Sequence, residues 1–598
     1  MNHVTDIVQI KHEVLKATAA YAFAGTLYDE GKDKIPYDLI QGIKPQFRCC
    51  VYREREIIRQ RVRMAMGKLP VDVLYTDADS AQVVHVIPCA CEGCPITKIS
   101  VTQNCQGCLA KKCEKACPFG AITSTPKGAV IDQEKCRKCG KCVAACPYNA
   151  IVEIERPCKR SCPVKAISMD DNDIATIDPD KCINCGACVA GCPFGAISDV
   201  SMMTGVIDAL QDDKREVVAL LAPSIEGQFG TATLSQIKEA VRRLGFDDVY
   251  EVALGADMVA VNEAEELLEN KAAGKATTSS CCPAFVSMVR KHFPELMAFV
   301  STTVSPMVAV ERYVRTKKPG VTTVFVGPCI AKKNEVMGSY IGELDYALTF
   351  EELYAMMCAK EIEPAGEEAG EEEATRYGKG FALSGGVTKA VERVLAERGD
   401  APEIKALPCN GAEECRKALM LLKAGRLSED FIEGMCCVGG CMGGPANLSE
   451  LQKSKKVFES RLGGRQDILN SYKEKGLDAA DVLDFDFMRI LRHTADEVKK
   501  DFWLMGEVIH GDYSRWVNGQ TLHSVTNYAL HKALYSGHND HNYFEIAHTV
   551  KYLQNMGDLD LYNFVDNHDV ERIHTKLQNK AHFAPVHVLL YTLPGVPS

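Results

Sequence analysis

The apolar and polar pattern changes character along the chain. Up to about residue 85 apolar positions recur at helical spacing, and YREREIIRQRVRMAMGK reads as a basic amphipathic helix with its charged face in water. From 86 to 200 the periodicity gives way to turn-rich pieces, with two-strand signals at GAVIDQ and ATIDPDK. From about 214, strand-like runs (EVVALLAP, DVYEVAL, TTVFVGPC) alternate with helical runs (TLSQIKEAVRRLG, DMVAVNEAEELLEN), which predicts α/β units. The acidic segment EIEPAGEEAGEEEATRYGKG, 361–380, reads as a solvated loop. From about 477 the texture changes again, to a cysteine-free stretch rich in His, Asn, Tyr and Asp.

A length of 598 residues fits several domains. The formal charge of -11 gives no basic footprint for nucleic acid. Twenty-eight cysteines change the picture most: nineteen precede residue 193 and none follows Cys441. They recur at metal-ligand spacing, with Pro after each fourth one, a regularity disulfides do not need. The first residues, MNHVTDIVQIKHEV, lack the apolar core of a signal peptide, and no apolar run approaches the ~20 residues of a membrane span. The expectation is a cytoplasmic protein with metal-bound thiolates and no membrane partner.

Cys105, Cys108, Cys113 and Cys117 form C-x2-C-x4-C-x3-C-P. Cys136, Cys139, Cys142 and Cys146 form C-x2-C-x2-C-x3-C-P, and Cys182, Cys185, Cys188 and Cys192 repeat it; Cys158 and Cys162 make a half-run. Three closely spaced thiolates wrap one 4Fe-4S cubane, and the cysteine before Pro serves the neighbouring one. The first cluster then takes Cys105, Cys108, Cys113 and Cys146; the second Cys136, Cys139, Cys142 and Cys117; the third Cys182, Cys185, Cys188 and Cys162. Of the cysteines left over, Cys91, Cys94, Cys158 and Cys192 stand at plausible positions for a fourth, with zinc or an empty site as the alternative. A row of clusters reads as an electron relay.

Three further motifs follow: Thr278-Ser279-Ser280-Cys281-Cys282-Pro283-Ala284-Phe285, Gly327-Pro328-Cys329-Ile330-Ala331-Lys332-Lys333-Asn334-Glu335, and Glu433 to Pro445 containing Met435, Cys436, Cys437 and Cys441. Together, over about 86–475, they resemble the signature segments of FeFe-hydrogenases, with CNGAEECRKAL closest to the branch called group B. The resemblance implies an H-cluster, a 4Fe-4S cubane held by Cys282, Cys329, Cys437 and Cys441 and bridged through Cys441 to a di-iron unit with CO, CN and dithiolate ligands. It also implies that Lys332 donates to a cyanide, Met435 packs beside the di-iron unit, Cys281 is the proton donor, and Glu335 braces the Lys332 motif. Its proton route matches Glu263, Glu266 and Ser301, with Asn270 where an arginine is often found. Phe285, Gly327 and Val438 stand where many members have Trp, Met and Pro. Cys358, Cys409 and Cys415 receive no role.

The tail resembles α-amylase-type glycoside hydrolases at Asp478 (nucleophile), Glu507 (acid/base), Asn567-His568-Asp569 (stabiliser) and Tyr591 to Pro597. It is an incomplete (β/α)8 barrel fragment, without the family's first half, and reads as a non-catalytic or fused piece. The implied architecture is α+β and α/β multidomain. It comprises a helical region at 1–85, ferredoxin-like cluster domains at 86–200, a catalytic domain of two α/β lobes at 201–476 and the barrel fragment at 477–598. The implied function is reversible reduction of protons to H2, with ferredoxin or a similar soluble carrier as electron partner, hydrogenase maturation proteins as assembly partners and an anaerobic bacterial setting. An H2 or redox sensor, an iron–sulfur assembly paralogue and a glycosidase are the alternatives.

Overall fold

The computed structural model describes residues 6–70, 82–94, 98–339, 344–365, 374–399, 402–475 and, of the tail, 492–493, 495–496, 499, 502–506, 513–519, 521–557, 559–565 and 572–597. Two parallel sheets organise the central body. The larger runs, in spatial order, Asp248–Glu251, Val217–Leu221, Thr322–Gly327 and Tyr346–Thr349; the smaller runs Thr277–Thr278, Phe431–Met435 and Ala406–Asn410. Val217–Leu221 and Phe431–Met435 are buried at every position, as expected where helices cover both faces of a parallel sheet. Thr233 and Thr349 each open the following helix with a reciprocal capping box.

One element differs from the sequence pattern. In DVYEVAL the strand ends at Glu251, and Val252 begins a 21-residue helix, Val252–Ala272. A short apolar run does not distinguish a buried strand from a buried helix start. Here the run is rich in Ala, Leu and Met, good helix formers, and the first turns are buried all round.

The N-terminal helices Asp6–Phe23, Lys32–Leu39 and Val51–Ala65 include the basic stretch, but its polar face is not simply solvated. Glu54, Gln60 and Arg61 are buried. Glu54 Oε1 accepts the backbone N–H groups of Gln46 (2.7 Å) and Arg48 (2.6 Å), while Arg61 donates to Gly195 O and Arg48 to Phe194 O at 3.0 Å. Guanidinium groups that find backbone carbonyls can be buried, so this helix becomes a seat for the cysteine-rich segment.

That segment contains small antiparallel pairings: Val84–Val86 with Ile197–Asp199, Lys98–Val101 with Ile151–Ile154, Ile122–Thr125 with Gly128–Ile131, and Ile167–Met169 with Ala175–Ile177. A buried charge network ties three parts of the chain together. Lys333 Nζ donates to Asp199 Oδ2 (2.7 Å), Glu352 Oε1 (2.8 Å) and Val200 O (3.1 Å), and Lys11 Nζ reaches Asp199 Oδ1 at 3.3 Å.

In the tail, Met505–Gly506 pairs in parallel with Ser524–Val525 and Tyr562–Asn563 with Val596–Pro597. Two small apolar clusters there are built from tail residues alone. Asp478, Glu507 and Asp569 lie outside the described residues. Among the described residues no helix is long and apolar enough to cross a membrane.

Candidate functional site

The cysteine-rich segment folds into thiol-lined cages. One cavity is lined by Cys105, Cys108, Cys113 and Cys146, a second by Cys117, Cys136, Cys139 and Cys142, and a third by Cys91, Cys94, Cys158 and Cys192. Cys162, Cys182, Cys185 and Cys188 form another set, close enough that their neighbours add to burial in disfavouring ionisation of Cys185 and Cys188. These are the groupings that spacing suggested. The short helices explain them: Lys112–Lys115, Lys141–Ala145, Pro157–Ser161 and Ala187–Gly191 each carry the first of two cysteines four apart. The first lies within the helix and the second at or just past its end, where at Cys146, Cys162 and Cys192 the backbone turns extended, so one cysteine faces each of two adjacent cages.

The cages fit a cubane better than a single ion. Among the described residues no three of His, Cys, Asp and Glu come together tightly enough to hold one metal ion. In a zinc site four thiolates meet one ion at ~2.3 Å. Here four thiols line one cavity in each of three cages, as the faces of a larger inorganic group require.

The central cavity, about 90 Å³, lies where strand ends of the two parallel sheets meet. Cys281, Cys282, Cys329, Cys436, Cys437, Cys441, Lys332 and Met435 line it. Each motif sits at the C-terminal end of a strand: Thr277–Thr278 leads to Cys281 and Cys282, Thr322–Gly327 to Cys329, and Phe431–Met435 to Cys437 and Cys441. Burial pushes the thiols of Cys329 and Cys441 up to about 12, and Cys437 well above its usual value. Cys282 is drawn down to about 7, first by its hydrogen bond with Cys436. Buried thiols of this kind ionise together only when positive metal arrives. Lys332 Nζ is held by Glu335 Oε2 at 2.6 Å, and Ser305 Oγ donates to the same oxygen at 3.3 Å.

Two departures from the resembled motifs have a packing account. A Cβ on Gly327 would stand 2.4 Å from the Phe325 ring, which lines the cavity, so Phe325 occupies the space above Gly327. Val438 is exposed. A Cβ on Gly434 would fall 2.3 Å from the Phe285 ring, so the aromatic at 285 packs directly on the third motif.

The set of Cys162, Cys182, Cys185 and Cys188 abuts the central cavity: Cys185 packs in one apolar cluster with Cys282 and Cys329, near enough to Cys437 to disfavour its ionisation. Gly186 makes this approach possible: its φ is +76°, and a Cβ there would lie 2.7 Å from Ile330 Cδ1 and 2.8 Å from Pro445 Cγ. Gly186→Val is expected to destabilise the protein by ~1–3 kcal/mol through overpacking, more if the backbone resists the left-handed angle. A thermal melt with an unchanged midpoint would contradict this close approach.

A chain of carboxylates and hydroxyls leads away from Cys281. Glu263 and Glu266 share one face of helix Val252–Ala272, at i and i+3. Glu263 Oε1 accepts from Ser280 N at 3.0 Å, and Ser280 Oγ lies 2.7 Å from Thr303 Oγ1. Thr303 Oγ1 is 3.5 Å from Glu263 Oε1 and 2.9 Å from Ser301 Oγ, which donates to Glu266 Oε2 at 2.7 Å. Burial raises Glu263 to about 8 and also lifts Glu266. Glu263 Oε2 is buried and has no hydrogen-bond partner among the described residues. Beyond Glu266, Asn270 Nδ2 donates to Thr277 Oγ1 at 2.9 Å.

Sequence reasoning named Ser301 but missed Ser280 and Thr303; the TSSCC and VSTTVSP segments held both, and only folding showed which hydroxyl faces which carboxylate. It also left Cys409, Cys415 and Cys436 aside. All three are buried; Cys415 interacts with Cys409 and Cys436, and Cys436 with Cys282. Cys358 is half-buried against Tyr354.

Residues 215–445 match the iron-only hydrogenase large subunit, C-terminal domain, and 104–150 and 156–196 match the 4Fe-4S dicluster domain. Iron hydrogenase 1 of Clostridium pasteurianum is 29% identical over 419 residues, covering 59% of this chain and 71% of that protein. The periplasmic Fe hydrogenase large subunit of Nitratidesulfovibrio vulgaris is 28% identical over 292 residues, covering 39% and 69%. A solved FeFe-hydrogenase from Chlamydomonas reinhardtii overlaps 47% of this chain and 97% of its own at 21% identity and a TM-score of 0.40. With the thiol-lined cavity where strand ends of its two sheets meet, the chain carries an iron-only hydrogenase catalytic domain behind 4Fe-4S dicluster domains and is an oxidoreductase of the hydrogenase type.

Proposed function

We propose that the chain joins two protons and two electrons into H2, reversibly, at an H-cluster fed by up to four 4Fe-4S clusters. The observation that carries this is the single cavity into which Cys282, Cys329, Cys437 and Cys441 project beside Cys281, Lys332 and Met435. Cys282, Cys329, Cys437 and Cys441 would hold the cubane, with Cys441 also bridging to the di-iron unit. Lys332, oriented by Glu335, would donate to a cyanide as a charge-assisted anchor. When bound, that cofactor supplies the redox chemistry at hydrogen, and the protein supplies ligands, protons and exclusion of water.

The chain's own residues set the proton supply. Glu266 exchanges with the outside, Ser301 and Thr303 pass the proton inward, and Glu263, neutral near pH 7, presents it toward Cys281. This complete hydroxyl–carboxylate chain favours an enzyme over a sensor. The Cys91, Cys94, Cys158 and Cys192 cage would hold the fourth cluster. Electrons come from a soluble carrier such as ferredoxin. The motif variants place the chain nearest group B, and the amylase-like tail takes no part in the reaction.

The test is to load the anaerobically purified chain with a synthetic di-iron cofactor, record infrared bands for bound CO and CN, and assay H2 evolution with reduced viologen. Absence of the bands defeats the H-cluster assignment; bands without turnover would make the chain a sensor. Cutting the chain after residue 475 should leave both readouts intact. Thr303→Val, which removes Oγ1 at nearly constant shape, should slow H2 evolution at least ~tenfold by interrupting proton transfer, with unchanged CO and CN bands. Thr303→Ser should restore the rate; a Val variant as fast as the parent would exclude Thr303 from the route.

A further inference from the structure

The chain's charge is unevenly placed. Residues 104–150 hold eight Lys and Arg against three Asp and Glu, a net +5 within a chain of -11. The second dicluster stretch, 156–196, has five of each and is neutral. All eight basic side chains of 104–150 are exposed, and among the described residues only Lys135 makes an ion pair, with Asp132. Lys112, Lys115, Lys127, Arg137, Lys138 and Lys141 therefore present unneutralised charge around the first two thiol cages. Lys112 and Arg137 line those cages directly.

Three other features mark this part as a contact surface. Residues 98–154 have their own small core, and every side-chain hydrogen bond described for them stays within the segment. The segment is thus an outlying module. Large apolar side chains stand among its lysines: Leu109 is 99% exposed, and Phe119, Val130 and Tyr148 are also exposed. Lys138, between two cage cysteines, has φ +54°, a left-handed backbone taken at the corresponding C-x2-C position of the third run by Asn184, at φ +51°. Asn adopts that conformation more readily than Lys, so the backbone alone does not account for a cation there.

We propose that residues 98–154 are the landing surface for an acidic, soluble electron-carrier protein. This rests on the hydrogenase reading above. Cys139 is exposed at the surface of the second cage, so a docked carrier comes close to a cluster there. The chain connects the module to the next cage at both ends: Lys98 lies four positions after Cys94, and Cys158 four positions after Ile154, a reach of at most ~14 Å each. Electrons accepted at the module would pass to the Cys91, Cys94, Cys158 and Cys192 cage, then to the Cys185 set against the central cavity. The transfer makes and breaks no bonds: the carrier's reduced centre loses one electron and the module's cluster gains it. Nucleic acid and anionic membranes also attract lysines, but the acidic remainder of the chain repels both, and neither accounts for basic residues placed around redox cages.

The test measures H2 evolution by the loaded full-length enzyme with two donors, reduced methyl viologen and a reduced acidic 2Fe-2S ferredoxin. A Lys115→Glu, Lys127→Glu, Lys138→Asn variant brings 104–150 to zero net charge and changes no cage cysteine. The ferredoxin KM should rise about tenfold or more as electrostatic steering is lost, while the viologen rate stays constant. In the unaltered enzyme, adding salt should raise the ferredoxin KM and leave the viologen rate alone. A salt-independent ferredoxin KM overturns the proposal, whatever the variant does. So does binding of a DNA duplex or phosphatidylserine vesicles more tightly than ferredoxin. Loss of viologen activity in the unaltered enzyme would instead defeat the hydrogenase reading.

Discussion

Glu263→Gln is expected to lower H2 evolution by ~10²–10⁴-fold while the CO and CN bands of the loaded enzyme stay unchanged. Glutamine has the same shape, and its carbonyl can still accept the Ser280 N–H that Glu263 Oε1 accepts at 3.0 Å. It cannot release and regain a proton. Glu263 is fully buried, and burial lifts it to about 8, so at pH 7 it is a neutral acid whose Oε2, unpartnered among the described residues, can carry the proton. The sign for stability follows. The folded-state value lies above the ordinary 4.5, so the folded protein holds the extra proton between about 4.5 and 8. Its contribution is full below 4.5 and is lost as pH rises through 8. The substituted amide does not ionise, so the thermal midpoint of the variant should gain on the parent as pH rises. A variant with full turnover, or parallel pH–stability curves, would remove Glu263 from the proton route or from its buried neutral state.

Lys333→Met should destabilise the protein by ~3–5 kcal/mol, because it strips the cation from two buried carboxylates. Lys333 is fully buried between Asp199 and Glu352, which are themselves buried. At ~2–4 °C per kcal/mol for a domain of this size, the thermal midpoint should fall by roughly 10 °C. Burial alone would raise the Asp199 carboxyl, but Lys11 and Lys333 overcome it and hold it below its ordinary value. A depressed acid stabilises the fold above its ordinary 3.8, and that stability is lost as pH falls. Lys333→Met should therefore flatten the acid limb of the stability curve. A loss below ~1 kcal/mol would match an exposed pair and contradict the buried network. Its place explains its size: Lys333 follows Lys332, and its partners come from the cysteine-rich segment and from helix Phe350–Ala359, so the network clamps relay to catalytic domain.

The thiol cages were legible because their geometry is local. C-x2-C loops turn cysteines inward, and in C-x3-C-P the short helix stops before the second cysteine, which then faces the neighbouring cage. The fourth grouping, Cys91, Cys94, Cys158 and Cys192, required a choice among the seven early cysteines that the other three sets leave over, and only the fold brings these four to line one cavity. The central cysteines were legible only as a resemblance. Cys282, Cys329 and Cys441 are far apart in sequence, and no periodicity says that three strand ends meet.

What the chain by itself determined is therefore the local spacing of its cysteines and the alternation of strands and helices, both set by neighbours within a few residues. The tertiary structure decided everything that depends on burial or on which distant side chains face each other. It turned Glu263 from one of several acidic residues on a helix into a neutral buried acid, and it selected Thr303 and Ser280 from a run of hydroxyls. It placed Phe325 over Gly327 and turned Arg61 toward a backbone carbonyl. Among the described residues it also left most lysines of 104–150 without ion-pair partners. The reason is physical: helical and strand spacing follow from covalent geometry, whereas desolvation and hydrogen-bond pairing across tens of residues exist only once the chain has packed.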